Sequence, residues 1–171
     1  MWRPGFAFVD RRRALLHGRH RAFCIYSVHH RGTPERPGLV LGLRDGGATL
    51  GIAYAVEAKA WPNTYAYLLE REQPTETYVE RRVQVKLTDG TNPGVKVAAL
   101  CFLSDRNHAQ WAGGLKPEAQ ARLIAGARGL SGRNIDYLRD LVDHLRDEGA
   151  RDRGLEALLK AVMALEGEAS A

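Results

Sequence analysis

Two glutamates near the middle of the chain, Glu70 and Glu72, are the first residues whose type and spacing could do chemistry. They lie in residues 61–78, where a helix would advance about 100° per residue. On such a helix Glu72 shares a face with Tyr65 and Leu68, and Glu70 falls on the opposite face. A carboxylate turned toward an apolar core keeps a proton more readily than one in water, which suits a general acid/base near neutral pH. The pattern makes Glu72 a candidate for proton transfer and predicts a solvated Glu70.

A second interpretation of the same stretch stays open. Pro74 forbids the helix soon after Glu72, so the helix could fray earlier and leave this carboxylate in water. Partly buried carboxylates also occur in structural ion pairs, so an inward position does not by itself establish catalysis. The two interpretations differ in the burial of the Glu72 side chain.

Other residue types lack the spacing of a recognised site. The sequence has no GxxxxGK[ST], GxGxxG or HExxH motif, and no serine lies in a nucleophile elbow. The histidines between residues 17 and 30 have no carboxylate or thiolate at zinc-like spacing, so we expect no metal site. Cys24 lies in an apolar segment, which predicts a core residue.

Length and composition predict an ordinary globular domain. The 171 residues include 44% apolar and 26% charged residues. The longest apolar run is far too short to span a membrane, and no signal peptide is evident at the start of the sequence. The two cysteines form no CxxC pair, which argues against a disulfide framework. We therefore expect a cytoplasmic protein with no membrane partner.

The charge is basic and partly local. The formal net charge is +5, and five arginines lie between residues 11 and 21. Such a cluster can bind nucleic acid, attract a small acidic ligand or form a solvated edge. Because the arginines are not interleaved with the aromatics that single-strand binders use for stacking, we expect no nucleic-acid partner.

The elements that must position these residues are strands first and helices later. Strands are predicted at residues 14–28, with an irregularity at Gly18, and at 78–87 and 95–103. Residues 39–43 and 48–56 read as a β-hairpin turned by residues 45–47, Asp-Gly-Gly. In the last third, Pro117 begins a helix, Asn134 caps the next, and Met163 lies in the apolar stripe of the last. The order predicts an α+β fold.

Several stretches resemble, in order, segments of the ChaC-type γ-glutamylcyclotransferases. They are RPGFAF, LHGRHRAFC, SVHHRGTPERPG, LGIAYAV, LLEREQPTETY and LSGRNIDYL. The resemblance implies one domain over residues 1–171, a γ-glutamylcyclotransferase-like fold: a small mixed β-barrel flanked by helices, with a helical C-terminal third. It also implies an enzyme that cleaves glutathione to 5-oxoproline and cysteinylglycine without cofactor or metal, as a monomer or homodimer.

Residue by residue, the match gives candidate site residues. The family's catalytic glutamate lies in an Arg-Glu-Lys segment, and the matching residue is Glu72. The matched stretches also contain Arg31, Tyr54 and Tyr78, which we take as candidate substrate-binding residues.

The sequence departs from the family pattern at one important place. The family's Tyr-Gly-Ser-Leu loop, which holds the γ-glutamyl group, would come just before Met1 together with its strand. We expect that the true start lies upstream, since a Pro-Gly turn fits a continuing chain better than a beginning. The alternative is a catalytically impaired binding or regulatory module on the same fold.

Overall fold

The computed structural model describes residues 4–72 and 76–168. Met1–Arg3 and the helix break predicted at Pro74 lie outside these residues. The elements, in chain order, are β1 Asp10–Ser27, β2 Gly38–Ala55, α1 Trp61–Glu72, β3 Tyr78–Leu87, β4 Lys96–Ser104, α2 Pro117–Ile124, β5 Arg128–Gly129, β6 Gly132–Arg133, α3 Asn134–Asp147 and α4 Arg153–Glu168. The α+β order with a helical C-terminal third is as predicted. None of the described helices is both long enough and apolar enough to cross a membrane.

The described residues divide into two compact units. The first holds residues up to Arg21 together with those of Leu43–His108, and the second holds Ala22–Gly42 and the residues from Ala109 onward. The strands β1 and β2 each contribute to both units, whereas α1, β3 and β4 belong to the first and α2 to α4 to the second.

The sheet follows the order β2–β1–β3–β4, with β3 antiparallel to both of its neighbours. The apolar residues that alternate along β1 and β3 form a buried cluster of Ala14, Leu16, Val85 and Leu87. Half-buried residues of β3 and β4, among them Cys101, pack against this cluster and mark the inner face of the sheet. The strand predicted at residues 78–87 is confirmed, and the strand predicted at 95–103 is shifted by one residue.

The predicted hairpin over residues 39–56 is wrong. The strand β2 runs without interruption from Gly38 to Ala55, through Gly46 and Gly47 with φ of 92° and 68°. Opposite them β1 has its own irregularity at Gly18, with φ of 77°, and the His20 imidazole Nδ1 lies 3.0 Å from the Gly46 carbonyl oxygen. Bulges and tight turns both need residues with φ > 0, so the same glycines are compatible with either. Here they bend β2 next to the irregular part of β1, and the chain does not reverse.

The ladder is open, with β2 and β4 at its two edges. The Leu43 amide of β2 donates a hydrogen bond of 3.2 Å to the Ser104 hydroxyl of β4. A side chain therefore joins the two edge strands at one point, and the sheet must curl for them to meet. This curled sheet takes the place of the small barrel that the resemblance implied.

The second unit has a helical core. Its most buried side chains include Ile124, Leu138 and Val162, each 0% exposed, and Cys24 of β1 is also 0% exposed, as predicted for a core residue. The backbone there is tied to β1 by the Ala112 amide, which donates to the Cys24 carbonyl at 2.8 Å. The prediction for Met163 is wrong: it is 52% exposed, because it lies at the edge of the stripe that Val162 centres.

Asn134 does not cap α3, contrary to the prediction. The N-cap is Arg133, and Asn134 is completely buried. Its Oδ1 accepts a hydrogen bond of 2.7 Å from the Leu39 amide, and its Nδ2 donates one of 2.8 Å to the Leu39 carbonyl. The side chain thus satisfies both polar groups of one buried peptide position and fixes the start of α3 to β2.

Candidate active site

The helix α1 carries Glu72 as its last residue. Thr64 and Leu68 form the buried face of this helix, Glu70 is exposed, and the Glu72 side chain keeps only 24% of its surface exposed. The helix therefore does not fray before Glu72, and the two glutamates have different surroundings. Trp61 occupies the first helical position and is 37% exposed, and its ring stacks on the Tyr65 ring with 5.7 Å between centroids.

A hydrogen bond anchors α1 to the sheet. The Tyr65 hydroxyl donates to a carboxylate oxygen of Glu80 in β3 at 2.6 Å. This bond to a negative acceptor raises the pKa of Tyr65, because the hydroxyl would lose its bond on ionising. The contact holds the helix that carries Glu72 against the strand that follows it.

Glu72 lies within electrostatic range of the sheet interior. Cys101 packs against the buried cluster of the inner face, and burial raises the pKa of its thiol. The negative charge of Glu72 raises that pKa further. The Glu72 carboxylate therefore lies within electrostatic range of Cys101, a residue of the inner face.

Arg71 links Glu72 to the beginning of the described chain. Its Nε lies 3.4 Å from Oε1 of Glu72, while its Nη1 donates to the Pro4 carbonyl at 3.2 Å and to the Tyr67 hydroxyl at 3.1 Å. One guanidinium thus contacts the candidate catalytic carboxylate, its own helix and the N-terminal segment, residues 4–8.

Aromatic rings complete the packing of the N-terminal segment. The Phe6 ring meets Tyr54 edge-on at 5.8 Å and Tyr67 at 6.3 Å, and Phe8 contacts Tyr54 at 5.0 Å. Gly5 has φ of 72°, and a Cβ there would lie 2.1 Å from the Tyr67 hydroxyl oxygen, so only glycine fits. The candidate residue Tyr54 is therefore joined to α1 through the N-terminal segment.

Tyr78, the third candidate in this unit, is the first residue of β3. It is half-buried and lies opposite Ser104 of β4 in the antiparallel ladder. Glu72 and Tyr78 stand on either side of residues 73–75, which are outside the described part of the chain.

Arg31 belongs to the second unit, and its contacts there are structural. Its guanidinium donates to the carbonyls of Ser131 and Arg133, the latter at 3.4 Å, and lies 5.0 Å from the centre of the Tyr137 ring. Its amide donates to the Ser27 hydroxyl at 3.0 Å. Its substrate-binding role stays a prediction.

The matched stretch LSGRNIDYL contains the turn after β5, then β6 and the beginning of α3. The Ser131 hydroxyl lies 3.0 Å from Nδ1 of His30, and Arg133 forms an ion pair with Glu166 of α4. Gly129 packs so closely on the carbonyl of His29 that a Cβ would lie 2.4 Å from it. The polar residues of the motif thus hold the second unit together.

The arginine cluster of residues 11–21 is occupied by intramolecular partners. Arg12 pairs with Asp89 at 3.1 Å, Arg19 pairs with Asp45, and Arg21 donates to the Leu50 carbonyl. These contacts explain much of the cluster as structural. Among the described residues, no group of three or more His, Cys, Asp or Glu side chains is placed to hold a metal ion.

Comparisons with known proteins show the family to which this chain belongs. The model of the ChaC-like protein family matches residues 1–165. The chain is 35% identical over 168 residues to the glutathione-specific gamma-glutamylcyclotransferase of Escherichia coli (strain K12), covering 98% of this chain and 71% of that protein. It is 32% identical over 166 residues to glutathione-specific gamma-glutamylcyclotransferase 1 of Homo sapiens, covering 95% of this chain and 74% of that protein.

A solved structure shows the same fold. The crystal structure of a gamma-glutamyl cyclotransferase specific to glutathione from yeast superimposes with a TM-score of 0.80 at 23% identity, over 92% of this chain and 89% of that chain. With the family match over nearly the whole sequence, these findings establish that this chain belongs to the ChaC-like protein family.

Proposed function

We propose that this chain is a γ-glutamylcyclotransferase that cleaves glutathione into 5-oxoproline and cysteinylglycine, with Glu72 as general acid/base. Family membership and the names of its relatives support the reaction. The observation that carries the role of Glu72 is its partial burial: 24% of its side-chain surface is exposed, and its charge acts on Cys101 of the inner face. Such a group can reach a substrate and yet is shielded from most solvent.

The reaction needs one proton carrier. The substrate's α-amine attacks its own γ-carbonyl carbon, so a carbon–nitrogen bond closes a five-membered ring and the amide bond to cysteine breaks. The attacking ammonium loses a proton, and the departing cysteinylglycine amine gains one. Glu72 accepts the first proton and returns it to the leaving nitrogen, so the carboxylate is regenerated.

Proximity supplies much of the rate, because nucleophile and carbonyl belong to the same molecule. The protein must then hold the γ-glutamyl group in the ring-closing conformation beside Glu72. We propose that Tyr54 and Tyr78 contribute to this binding surface, since both are half-buried residues of the unit that contains Glu72. Arg71 places a positive charge beside the Glu72 carboxylate, with its Nε 3.4 Å from Oε1.

Product analysis tests the proposed function. The purified chain is incubated with glutathione, and 5-oxoproline, cysteinylglycine and glutamate are quantified by mass spectrometry. We expect 5-oxoproline and cysteinylglycine in equal amounts and no glutamate. Glutamate as the product would indicate hydrolysis and contradict cyclisation, whereas saturable binding without any product would favour the binding-module alternative.

A further inference from the structure

One arginine of β3 faces the interior of the sheet. In the β3–β4 ladder Arg81 lies directly opposite Cys101, and Val83 lies opposite Ala99. Directly paired residues of antiparallel strands project from the same face, with Cα atoms about 5 Å apart. Because Cys101 and Val83 pack on the buried inner cluster, Arg81 belongs to that face as well.

This position is unusual for a charged residue. The run Glu80, Arg81, Arg82 interrupts an alternation in which apolar residues otherwise occupy the inner face, and its middle member falls on that face. Arg81 is nevertheless exposed, between the half-buried Val79 and Val83. Burying a charged side chain costs free energy unless water or a hydrogen-bonding partner solvates it. Because Arg81 lies on the inner face and is nevertheless exposed, the inner face is open to solvent at this position.

The contacts of Arg81 leave its charge available. Some arginines of the first unit pair with carboxylates, as Arg12 does with Asp89 and Arg19 and Arg106 do with Asp45. Among the described residues, Arg81 has one hydrogen bond, from Nη1 to the carbonyl of the preceding Glu80 at 2.9 Å. A neighbouring backbone carbonyl is a weak partner that an incoming carboxylate can replace.

We propose that Arg81 binds the C-terminal carboxylate of the departing peptide and thereby selects γ-glutamyl peptides that end in a free carboxylate. This inference rests on the proposed function. The reacting end of the substrate must approach Glu72, which is three-quarters shielded, so its distal end points outward. The glycine carboxylate lies about 7 Å from the scissile bond, the length of two extended residues. Arg81 is exposed on the inner face directly opposite Cys101, which lies within electrostatic range of Glu72.

A binding experiment separates Arg81 from the chemistry. In a Glu72→Gln background, which removes turnover, we compare the Kd of glutathione with that of its glycine amide by calorimetric titration. We expect Arg81→Gln to weaken glutathione binding by about fivefold to twentyfold, the effect of losing one charged hydrogen bond at an exposed site, and to leave amide binding unchanged. The matched control is Arg82→Gln, because Arg82 is also exposed and falls on the opposite face.

Each alternative outcome has a definite meaning. If Arg81→Gln still prefers the acid over the amide as strongly as its parent, or loses affinity for both equally, the assignment to the glycine carboxylate is overturned. Equal 5-oxoproline release by wild type, Arg81→Gln and Arg82→Gln at low glutathione concentration would overturn it while leaving the proposed function intact. A third outcome would overturn the reaction but keep the recognition role. In it, wild type releases no product, Glu72→Gln still prefers glutathione over the amide, and the added Arg81→Gln substitution abolishes that preference.

Discussion

At the scale of single residues, two neighbours on α1 show how one helix provides different environments. Glu70 is exposed, and Glu72 is largely shielded with its carboxylate beside Arg71. The helical period separates the two carboxylates because they differ by about 200° around the axis. The different exposure of Glu70 and Glu72 can therefore be predicted from the sequence, because the helical period depends only on residue spacing.

The role of Asn134 could not be predicted in this way. As a residue just before a helical stripe it has the sequence features of a cap, yet it is bound to Leu39, which is distant in the sequence. The same amide group can satisfy a helix end or a strand peptide. Only the tertiary fold decides between these partners, so the pattern around Asn134 predicted the local alternative.

We predict that Asn134→Ala lowers the free energy of unfolding by about 3 kcal/mol, because two hydrogen bonds are lost and the amide and carbonyl of Leu39 are left buried without a partner. Urea unfolding followed by circular dichroism measures this loss. The control Asn107→Ala, at an exposed position, should change stability by less than about 0.5 kcal/mol. A loss below about 1 kcal/mol for Asn134→Ala would show that water or neighbouring groups replace the amide.

At the scale of elements, the glycines of β2 illustrate what sequence patterns leave open. The strand content, the α1 helix and the apolar stripes of α3 and α4 follow from residue period. The Asp-Gly-Gly signal at residues 45–47 specifies φ > 0 but does not say whether the chain reverses. That depends on the partner strand β1, whose Gly18 bends in the same region, and partner choice is a property of the whole sheet.

Asp89 ties the end of β3 to β1 and gives this contact a pH dependence. The Arg13 amide donates to both Asp89 carboxylate oxygens at 3.0 Å, and these bonds, with the Arg12 guanidinium, hold the pKa of Asp89 below its ordinary value of 3.8. The folded state therefore binds fewer protons than the unfolded state in acid. The contribution of Asp89 to stability is fully present above pH 3.8 and is lost as pH falls through the lowered pKa.

We predict that Asp89→Asn is less stable than wild type at neutral pH and that the difference shrinks on acidification. Urea midpoints measured at about pH 7, pH 4 and pH 2.5 give this comparison directly. The control is Asp147→Asn, at an exposed position of α3, which should show a small difference at every pH. A stability gap for Asp89→Asn that stays constant across this range would contradict the hydrogen-bonded carboxylate.

At the scale of the whole molecule, the positive net charge of +5 matches an anionic substrate. Much of the N-terminal arginine cluster is paired internally, so its effect is a diffuse field and not a docking patch. Glutathione carries a net charge of −1 near neutral pH, with two carboxylates and one ammonium. A diffuse field acts on encounter and is screened by salt, since the Debye length is about 10 Å at 0.1 M.

We therefore predict that kcat/KM for glutathione falls by about twofold to threefold between about 20 mM and 500 mM NaCl. Initial rates at low substrate concentration measure this effect. The glycine amide of glutathione, which has no net charge, should show a smaller change. If kcat/KM for glutathione did not change with salt, this result would contradict electrostatic attraction of the substrate by the net charge.

The most direct test of the central claim is the rate of 5-oxoproline release by Glu72→Gln, compared with Glu70→Gln as the matched control on the same helix. Glutamine keeps the shape of Glu72 but cannot accept a proton, so we predict that kcat falls by about 10²-fold to 10⁴-fold while KM changes little. Glu70→Gln should retain the wild-type rate, because Glu70 is exposed. Near wild-type turnover by Glu72→Gln would contradict the assignment of the proton carrier.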